Sequence, residues 1–577
     1  MSDPLFLITG GGTGAKVAEA FVHLCAAGLA PPEVHILLID TDSTNGNLQR
    51  AISTGTTYTN LQEYPWSVDT TARQSKYNPF SSGQDVGTRL FGTDLHLYQL
   101  TAPLSTVIEG GLDTAVGDEE DKRQVLELFY DGEERAAKCD DGFRARPNLG
   151  CLHLTEHLNE ALVSDEQARQ FLNALGNAAS GAASPIPVVA TASVFGGTGA
   201  SMLPVIRDCV EQGLDRVRGT TVNSERLHWN AIKLLPHYQP QHREQSVDPD
   251  RFLLDTASAL QFYSKVYRNG EGEMYEGVYV IGSDRPGRNR VEPTIGSEDQ
   301  SNPAYVEEFM AALAVLDAAD KIDDPTADQV RLFMTDATSQ TLTWSDLPHA
   351  NNERLKEQMG YLLHLAAFHL RQGGGEELTK GMDRLVDEVT PDHLRQFGWY
   401  NAIIDPWASH AAPYENAGAQ QRAKMIQDDA ALGSLTFGWM ENDIAEYFGR
   451  LLLWAETAMK TEDLSLVDYQ NSDYAAIHQA MSSLDADDVN TLYANGTTRQ
   501  ISPEDDNAMV RTLRASLASM VRLHHNDVRV KVDVDQFELT DAEQRIPLAI
   551  TFGEVQKALH RNGRQGIVQT HVQADAR

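Results

Sequence analysis

The most constraining feature of the sequence is a pair of Gly-Gly-Thr-Gly clusters, each lying between an apolar run and a helical pattern. The first cluster, 11–14, follows the run 4–9 and precedes a helical pattern at 15–27. The second cluster, 196–199, follows the run 186–194 and opens another helix. Glycine lets the backbone approach an anion, and successive N–H groups at a helix start form a phosphate-binding cradle. The two clusters therefore predict an α/β protein that binds phosphate groups.

The order of the patterns predicts a parallel sheet. After Pro31-Pro32 the apolar run VHILLID ends at Asp40, and further strand patterns lie at 229–235 and 277–282. Strand, glycine turn, helix and strand in succession are typical of a doubly wound sheet. A helix is predicted over Pro303–Ala319, with Asn302 as its N-cap and Pro303 at its first position. The expected fold class is α/β, a Rossmann-like parallel-sheet domain with a central helix, followed by a largely helical region.

Three regions are predicted along the chain. A nucleotide-binding domain spans 1–300 and contains an insertion at 45–141, which is rich in Thr, Ser, Gly and acidic residues and has only short apolar segments. Residues 301–330 hold the central helix and an acidic loop. Residues 331–577 are predicted to be mostly helical, with alternating strand patterns at 528–537 and 546–552.

Composition narrows the function. The chain has 47 Lys and Arg against 83 Asp and Glu, a net charge of −36, which disfavours general binding to nucleic acids. The first residues have no basic segment typical of a signal peptide, and no run approaches the ~18 apolar residues of a membrane span. Four cysteines without a CxxC pair fit a reducing compartment, and Cys25 and Cys209 are predicted to be core residues. A cytoplasmic protein is expected.

Taken alone, the first cluster permits a dinucleotide site. Gly10, Gly12 and Ala15 match the Gly-x-Gly-x-x-Ala spacing, and Asp40 ends the next strand where a ribose-binding carboxylate is expected. This keeps an NAD(P)-dependent oxidoreductase open as an alternative, although it leaves the second cluster unexplained. A P-loop is excluded at both clusters because neither continues into Gly-Lys-Ser/Thr.

The second cluster and its flanks, SVFGGTGAS at 193–201, resemble the signature of the tubulin/FtsZ superfamily of GTPases. Other segments resemble motifs of that superfamily in the same order along 1–40 and 142–330. These are Gly10–Ala15, Asp40-Thr41-Asp42, Ala145–Gly150, Leu234-Leu235-Pro236, Ile281–Arg285 and Asn302–Tyr305. The chain departs from the pattern at Asp40 and Ser283, where the family usually has Asn, and at Phe309, where tubulin has Asn. The chain is interpreted as a divergent prokaryotic member.

The resemblance implies binding of GTP or GDP with Mg²⁺. Tyr305 is then expected to stack on guanine, and Glu308 or a neighbouring residue to accept hydrogen bonds from N1 and N2 of the base in place of the missing Asn. Arg144 and Arg146 are candidates to add positive charge near the phosphates. The complete predicted nucleotide-binding set is Gly11, Gly12, Thr13, Gly14, Asp40, Asp42, Arg146, Asn148, Gly196, Gly197, Thr198, Gly199, Ala200, Ser283, Asp284, Tyr305 and Glu308.

The resemblance also implies that hydrolysis is coupled to head-to-tail self-assembly, because an acidic loop of the next subunit completes the site. The corresponding segment here is 320–331, and Asp324 and Asp328 are the predicted catalytic residues. A solvated acidic loop is the alternative. His153 and His157 share a helix face behind Cys151, but an acidic helix surface explains them equally well, and no protein-bound metal is predicted.

The sequence is consistent with three functions. The first is an assembling GTPase, the second a tubulin-like module that binds nucleotide and regulates a protein partner, and the third an NAD(P)-dependent oxidoreductase. In the second case the 45–141 region or the C-terminal half would carry the partner surface. Partners other than the chain itself are not specified by the sequence.

Overall fold

The structure is a computed structural model. It describes residues 3–63, 91–101, 120–136, 143, 146–182, 184–219, 223–240, 256–263, 274–283, 290–291, 300–320, 330–335, 347–348 and 567–568, with single helical positions between 354 and 366 and between 447 and 458. Among these residues, none of the helices is both long and apolar enough to cross a lipid bilayer.

The described elements alternate between strands and helices. The strands are β1 Leu5–Gly10, β2 Glu33–Ile39, β3 Asp94–Leu100, β4 Ile186–Ser193, β5 Leu227–Leu234, β6 Gln239–Pro240, β7 Gly277–Ser283, β8 Arg290–Val291, β9 Val330–Thr335 and β10 Ile567–Val568. The helices are α1 Gly11–Ala26, α2 Gly46–Glu63, α3 Glu120–Phe129, α4 Gly132–Arg135, α5 Pro147–Ser164, α6 Glu166–Gly181, α7 Thr198–Met202, α8 Ile206–Arg218 and α9 Val306–Asp320.

Eight strands form one sheet in the order β10-β9-β7-β5-β4-β1-β2-β3, and every pair in it is parallel. Strands β1 and β4 are buried along their whole length, as expected when helices cover both faces of a parallel sheet. Within this order, β3-β2-β1-β4-β5-β7 follows the strand order of a doubly wound sheet. The prediction of an α/β fold with a parallel sheet is therefore confirmed, and the strand order is compatible with a Rossmann-like domain.

Two groups of helices contact the sheet. Helix α1 packs against α2 and α9, while α5, α6, α7 and α8 form a second group. The described positions of one further helical segment, within 447–458, join the first group, since His23 of α1 lies 2.9 Å from the Tyr447 hydroxyl and its ring packs against Trp454. Because the strands are parallel, all end at one edge of the sheet, here called the carboxyl edge, and all begin at the opposite amino edge.

The interpretation of 45–141 as an insertion is wrong for two of its segments. Gly46–Glu63 forms α2, and Asp94–Leu100 forms β3, the strand that pairs with β2. Polar residues hid both elements. Strand β3 has Asp, His and Gln between its apolar residues and is mostly half-buried, and α2 is rich in Thr, Asn and Gln. The predicted helix near Asp121–Phe129 is confirmed as α3.

The central helix begins later than predicted. Helix α9 starts at Val306, and the carbonyl of Tyr305 accepts from the N–H groups of Glu308 and Phe309. Tyr305 rather than Asn302 is therefore the N-cap, and the Glu308 side chain accepts from the Tyr305 N–H at 2.8 Å, as in one half of a capping box. Pro303 lies in the extended segment before the helix.

The remaining boundaries also shift. The helix predicted from Met202 onward divides into α7 and α8, and Val330–Thr335 is strand β9 instead of the start of a helical region. Described positions within 354–366 and 447–458 are helical, as predicted for both stretches. The strands predicted at 528–537 and 546–552 lie outside the described residues.

Candidate functional site

The two glycine clusters lie side by side at the carboxyl edge. Strands β1 and β4 are neighbours, and Gly10 at the end of β1 pairs with Ala192 near the end of β4. A Cβ atom on Gly199 would lie 2.9 Å from the Gly10 carbonyl oxygen, and one on Gly11 would lie 3.2 Å from the Gly199 backbone nitrogen. Each turn therefore needs the glycines of the other, and Gly11 also has a positive φ of 70°.

The clusters expose their first glycines and bury the rest. Gly11, Gly12, Gly196 and Gly197 are half-buried, whereas both threonines, Thr13 and Thr198, and the residues Gly14, Gly199 and Ala200 are buried. Helix α1 begins directly at Gly11, and its N-cap Gly10 has no side chain to accept from the first-turn N–H groups. The half-buried glycines of the first cluster thus lie at a helix start whose backbone N–H groups can act as donors, which favours binding of an anion.

Asp40, at the carboxyl end of β2, reaches the second cluster. The Thr198 hydroxyl donates to Asp40 Oδ1 at 3.3 Å, and the Thr41 hydroxyl lies 3.2 Å from that of Thr198. The Asp40 carboxylate is buried and also accepts from the Asp42 N–H and the Asn45 amide. Burial raises the pKa of Asp40 to about 7. Three oxygen-bearing side chains, Asp40, Thr41 and Thr198, are thereby brought together beside the glycine turns.

Asp42 and two asparagines organise the border of the first cluster. Asp42 Oδ1 accepts from the N–H and hydroxyl of Thr44, which fixes the turn into α2. Asn47 and Asn302 form two hydrogen bonds. The Asn47 side-chain amide donates to Asn302 Oδ1 at 3.2 Å, and the Asn302 N–H donates to Asn47 Oδ1 at 2.8 Å. A Cβ on Gly12 would lie 3.0 Å from the Asn45 amide. The sequence analysis did not identify Asn45 and Asn47, since neither belongs to a motif.

The segment predicted to sense the γ-phosphate lies against the second cluster. Its Pro147–Gly150 portion forms the first turn of α5, with exposed Arg146 at the N-cap. Asn148 is also exposed, and its carbonyl accepts from the Tyr130 hydroxyl at 3.3 Å. A Cβ on Gly197 would lie 2.9–3.0 Å from Phe143, including its main chain. Gly197 is therefore required for packing as well as for any approach of a ligand.

Tyr305 and Glu308 belong to a buried polar cluster. The Glu308 carboxylate contacts Lys16 Nζ, lies 3.2 Å from His237 Nε2 and accepts from the Tyr305 N–H. Lys16 also donates to the Pro303 carbonyl at 3.2 Å and lies 4.6 Å from the centre of the Tyr305 ring. The Tyr305 ring stacks on Tyr238 with centroids 5.7 Å apart. Sequence reasoning missed Lys16, His237 and Tyr238.

Electrostatics within this cluster favour an ionised Glu308. Burial alone would raise the pKa of Glu308, but the adjacent Lys16 and His237 hold it below the ordinary value. Burial lowers the pKa of Lys16, and Glu308 opposes that effect. Both side chains are fully buried, so salt screens the pair little, and removal of either partner would leave an uncompensated buried charge.

The other predicted residues are distributed as follows. Ser283 is buried at the carboxyl end of β7, two strands away from β4. Asp284, Asp324, Asp328 and Arg144 lie outside the described residues. His153 is buried with neither ring nitrogen hydrogen-bonded within the described part of the chain, and its ring centre is 6.3 Å from that of His157. Cys151 donates to the Ser201 carbonyl, while Cys25 and Cys209 are buried as predicted.

Comparisons with known proteins were made at three levels. No protein-family model, no curated protein and no solved structure matches this chain.

Proposed function

We propose that this chain binds a guanine nucleotide at the carboxyl edge of its sheet and hydrolyses GTP on head-to-tail self-assembly, as the resemblance to the tubulin/FtsZ superfamily implies. The observation that carries the proposal is the placement of the two Gly-Gly-Thr-Gly turns on β1 and β4. The strand order reverses between these two strands, and ligands of doubly wound sheets bind at that point. A dinucleotide site would account for the first turn only.

The phosphates of the nucleotide are assigned to the four half-buried glycines of the two turns. Gly11 and Gly12 open α1, where N–H groups of the first turn have no partner within the helix and the helix dipole favours negative charge. Gly196 and Gly197 lie in the turn that follows the neighbouring strand, β4. Backbone donors from two turns would then surround one phosphate chain, an arrangement suited to stabilising charge during phosphoryl transfer.

Mg²⁺ is assigned to the oxygen cluster of Asp40, Thr41 and Thr198. Mg²⁺ prefers carboxylate and hydroxyl oxygens and water, and the Thr198 hydroxyl lies within hydrogen-bonding reach of both the Asp40 carboxylate and the Thr41 hydroxyl. The donor set therefore fits the ion. When bound, Mg²⁺ supplies charge neutralisation for the phosphoryl group. Asp40 would be ionised in that state, because a nearby cation lowers the pKa that burial raises.

The base is assigned to the region of Tyr305 and Glu308. Tyr305 already stacks on Tyr238, and the Glu308 oxygens already accept from Lys16, His237 and the Tyr305 N–H. A base that stacks on the same face of Tyr305 must displace Tyr238, and a base that donates to Glu308 must share it with these partners. Guanine should still be preferred, because its N1 and N2 donors match a carboxylate and adenine does not offer that pair.

Self-assembly is assigned to the two edges of the sheet. Helix α9 ends at Asp320, and the next described strand, β9, begins at Val330 beside Val278 near the amino end of β7. The chain thus enters β9 at the amino edge, opposite the glycine turns. A head-to-tail contact brings the amino edge of one subunit to the carboxyl edge of the next, which is what completion of the site by Asp324 or Asp328 requires.

The first experiment identifies the ligand. Nucleotide released from the purified full chain should be GDP or GTP, and GTP should compete at least about tenfold better than ATP. Gly196→Ala should reduce binding by about tenfold or more, because its Cβ enters the cradle and otherwise meets only the Ser193 hydroxyl. Gly181→Ala is the matched control, since a Cβ there meets nothing within 4 Å. Release of NAD(P), or unchanged binding in Gly196→Ala, contradicts the assignment.

The second experiment tests hydrolysis in trans. Asp328→Ala should still bind GTP, but hydrolysis should fall by roughly 100-fold, the order expected when a group that orients or deprotonates water is lost. Specific activity of the wild type should rise with protein concentration, and GTP should promote sedimentation. If the protein binds GTP but neither sediments nor gains activity with concentration, the nucleotide-regulated interaction module replaces the assembling GTPase.

A further inference from the structure

A second group of chemically active side chains lies at the amino edge, at the opposite end of the sheet from the glycine turns. In the parallel register of β2 and β3, Glu33 pairs with Asp94 and His35 pairs with His96. Side chains two residues apart on a strand point to the same face. Two carboxylates and two imidazoles are therefore gathered on one face of this strand pair.

The distances within the group are short. His35 Nε2 lies 2.9 Å from Glu33 Oε1, and the two imidazole rings stack with centroids 4.6 Å apart. One ligand atom each from Glu33, His35 and His96 lies within 4.8 Å of the other two. Asp94 stands beside them, with its carboxylate 3.8 Å from His96 Nε2. Within the part of the chain that the structure describes, this is the one group of three such residues that meets these distances.

The surroundings hold the His35 imidazole in place, whereas the Glu33 and His96 side chains are partly exposed to solvent. His35 is buried between the Phe6 ring, 4.6 Å away, and His96, and its Nδ1 lies 3.1 Å from the Tyr98 hydroxyl. When Nδ1–H donates to that hydroxyl, the Nε2 lone pair is directed toward Glu33, which is the arrangement of a metal-binding histidine with an outer-sphere partner. Glu33 is 50% exposed and His96 is 40% exposed, so both can rotate and the site is open to solvent.

We propose that Glu33, His35 and His96 form a binding site for a divalent transition metal, with Zn²⁺ as the best fit. Two imidazoles and a carboxylate are a common zinc ligand set, and hard cations such as Mg²⁺ and Ca²⁺ prefer oxygen ligands alone. Zn–N bonds of about 2.0–2.1 Å place ligand atoms roughly 3.4 Å apart, which the two exposed side chains reach by small rotations. Asp94 or water supplies the fourth ligand. The bound metal ties β3, the last strand of the sheet on this side, to β2.

The test uses the full chain after dialysis against a chelator, titrated calorimetrically with Zn²⁺. The wild type should bind Zn²⁺ at this site, and its melting temperature should rise with the Zn²⁺ concentration because the ion binds the folded state. Co²⁺ should give visible absorption bands typical of tetrahedral coordination. His96→Ala and Glu33→Gln change exposed side chains and should fold normally, yet each should lower the Zn²⁺ affinity by at least about 100-fold, the upper end of the loss known for outer-sphere partners.

The matched control is His228→Ala, which removes a histidine near the start of β5 at the same edge of the sheet. It should leave Zn²⁺ affinity unchanged. Absence of Zn²⁺ binding by the wild type overturns the proposal, as does wild-type affinity in either the His96 or the Glu33 variant. An equal loss in His228→Ala would show non-specific binding to histidines and would overturn it too.

Discussion

Two carboxylate–imidazole contacts of similar length lie at opposite ends of the same sheet. At the carboxyl edge Glu308 lies 3.2 Å from His237, and both side chains are fully buried. At the amino edge Glu33 lies 2.9 Å from His35, but Glu33 is half exposed. Burial, not distance, therefore separates the two contacts. A buried charge must be neutralised by its neighbours, whereas an exposed one is solvated and remains available to an incoming ligand.

The two edges differ for a reason that follows from the parallel topology. At the carboxyl edge, strands run into glycine turns and helix starts, and the segment before α9 covers this region so that Lys16 meets Glu308. At the amino edge of β2 and β3, no comparable cover is present among the described residues, and the imidazoles stack on one another instead. The carboxyl edge is therefore organised around buried charge pairs, and the amino edge of β2 and β3 around side chains that are partly exposed to solvent.

The largest effect is expected for Glu308→Gln. The substitution removes the negative charge next to Lys16, which is buried and cannot be hydrated without unfolding. The free energy of unfolding should fall by about 3–5 kcal/mol, measured by chemical denaturation. Arg216→Gln, which breaks the exposed contact with Glu160, is the control and should cost at most about 1 kcal/mol. A loss below about 1 kcal/mol in Glu308→Gln would remove the contrast between the two edges.

A second buried charge at the carboxyl edge gives a dependence on pH. Burial lowers the pKa of Lys233 from 10.5 to about 7. Between these values the unfolded chain holds the lysine proton and the folded chain does not, so stability rises with pH across this window. Lys233→Met should be more stable than the wild type by a few kcal/mol below pH 7, and the difference should shrink by pH 10. Denaturation curves that show a pH-independent difference would contradict the assigned shift.

A smaller loss of stability is expected for Gly199→Ala. The new Cβ would lie 2.9 Å from both the Gly10 carbonyl oxygen and the Ala192 Cβ, so β1 and β4 must separate slightly at their carboxyl ends. The expected cost is about 1–3 kcal/mol, typical of overpacking. Gly132→Ala, where a Cβ meets nothing within 4 Å, should be neutral in the same thermal unfolding measurement. Equal stability of the two variants would mean that the glycine turns are not crowded.

The smallest effect is expected at the amino edge. Glu33→Gln in metal-free protein should change the free energy of unfolding by less than about 1 kcal/mol, because the half-exposed carboxylate exchanges one hydrogen-bond partner for water. Comparison with Glu308→Gln under identical conditions measures how much burial adds to a contact of the same chemistry. A loss similar to that of Glu308→Gln would show that the amino edge is as rigidly organised as the carboxyl edge.

Much of the sheet could be predicted from the sequence because its central strands are buried on both faces. Strands β1, β2, β4 and β7 are largely apolar runs that end in glycine or serine or, for β2, are followed by Asp40. Strand β5 is less apolar but is buried along nearly its whole length. The half-polar β3 could not be recognised in this way, because an edge strand needs apolar residues only where it meets the helices. The catalytic role of Asp324 and Asp328 remains a prediction.

Local patterns suffice to predict the two glycine turns, their positions between strand and helix, and the α/β class, since these depend on local backbone freedom and on the period of apolar residues. They do not predict that Lys16 contacts Glu308 across 292 positions or that His35 stacks on His96, because both contacts arise from the packing of distant elements. A lysine within a helical pattern has the same local signature whether its ammonium group is solvated or buried. The partner that settles the question is brought to it by strand order and helix packing, which no local pattern encodes.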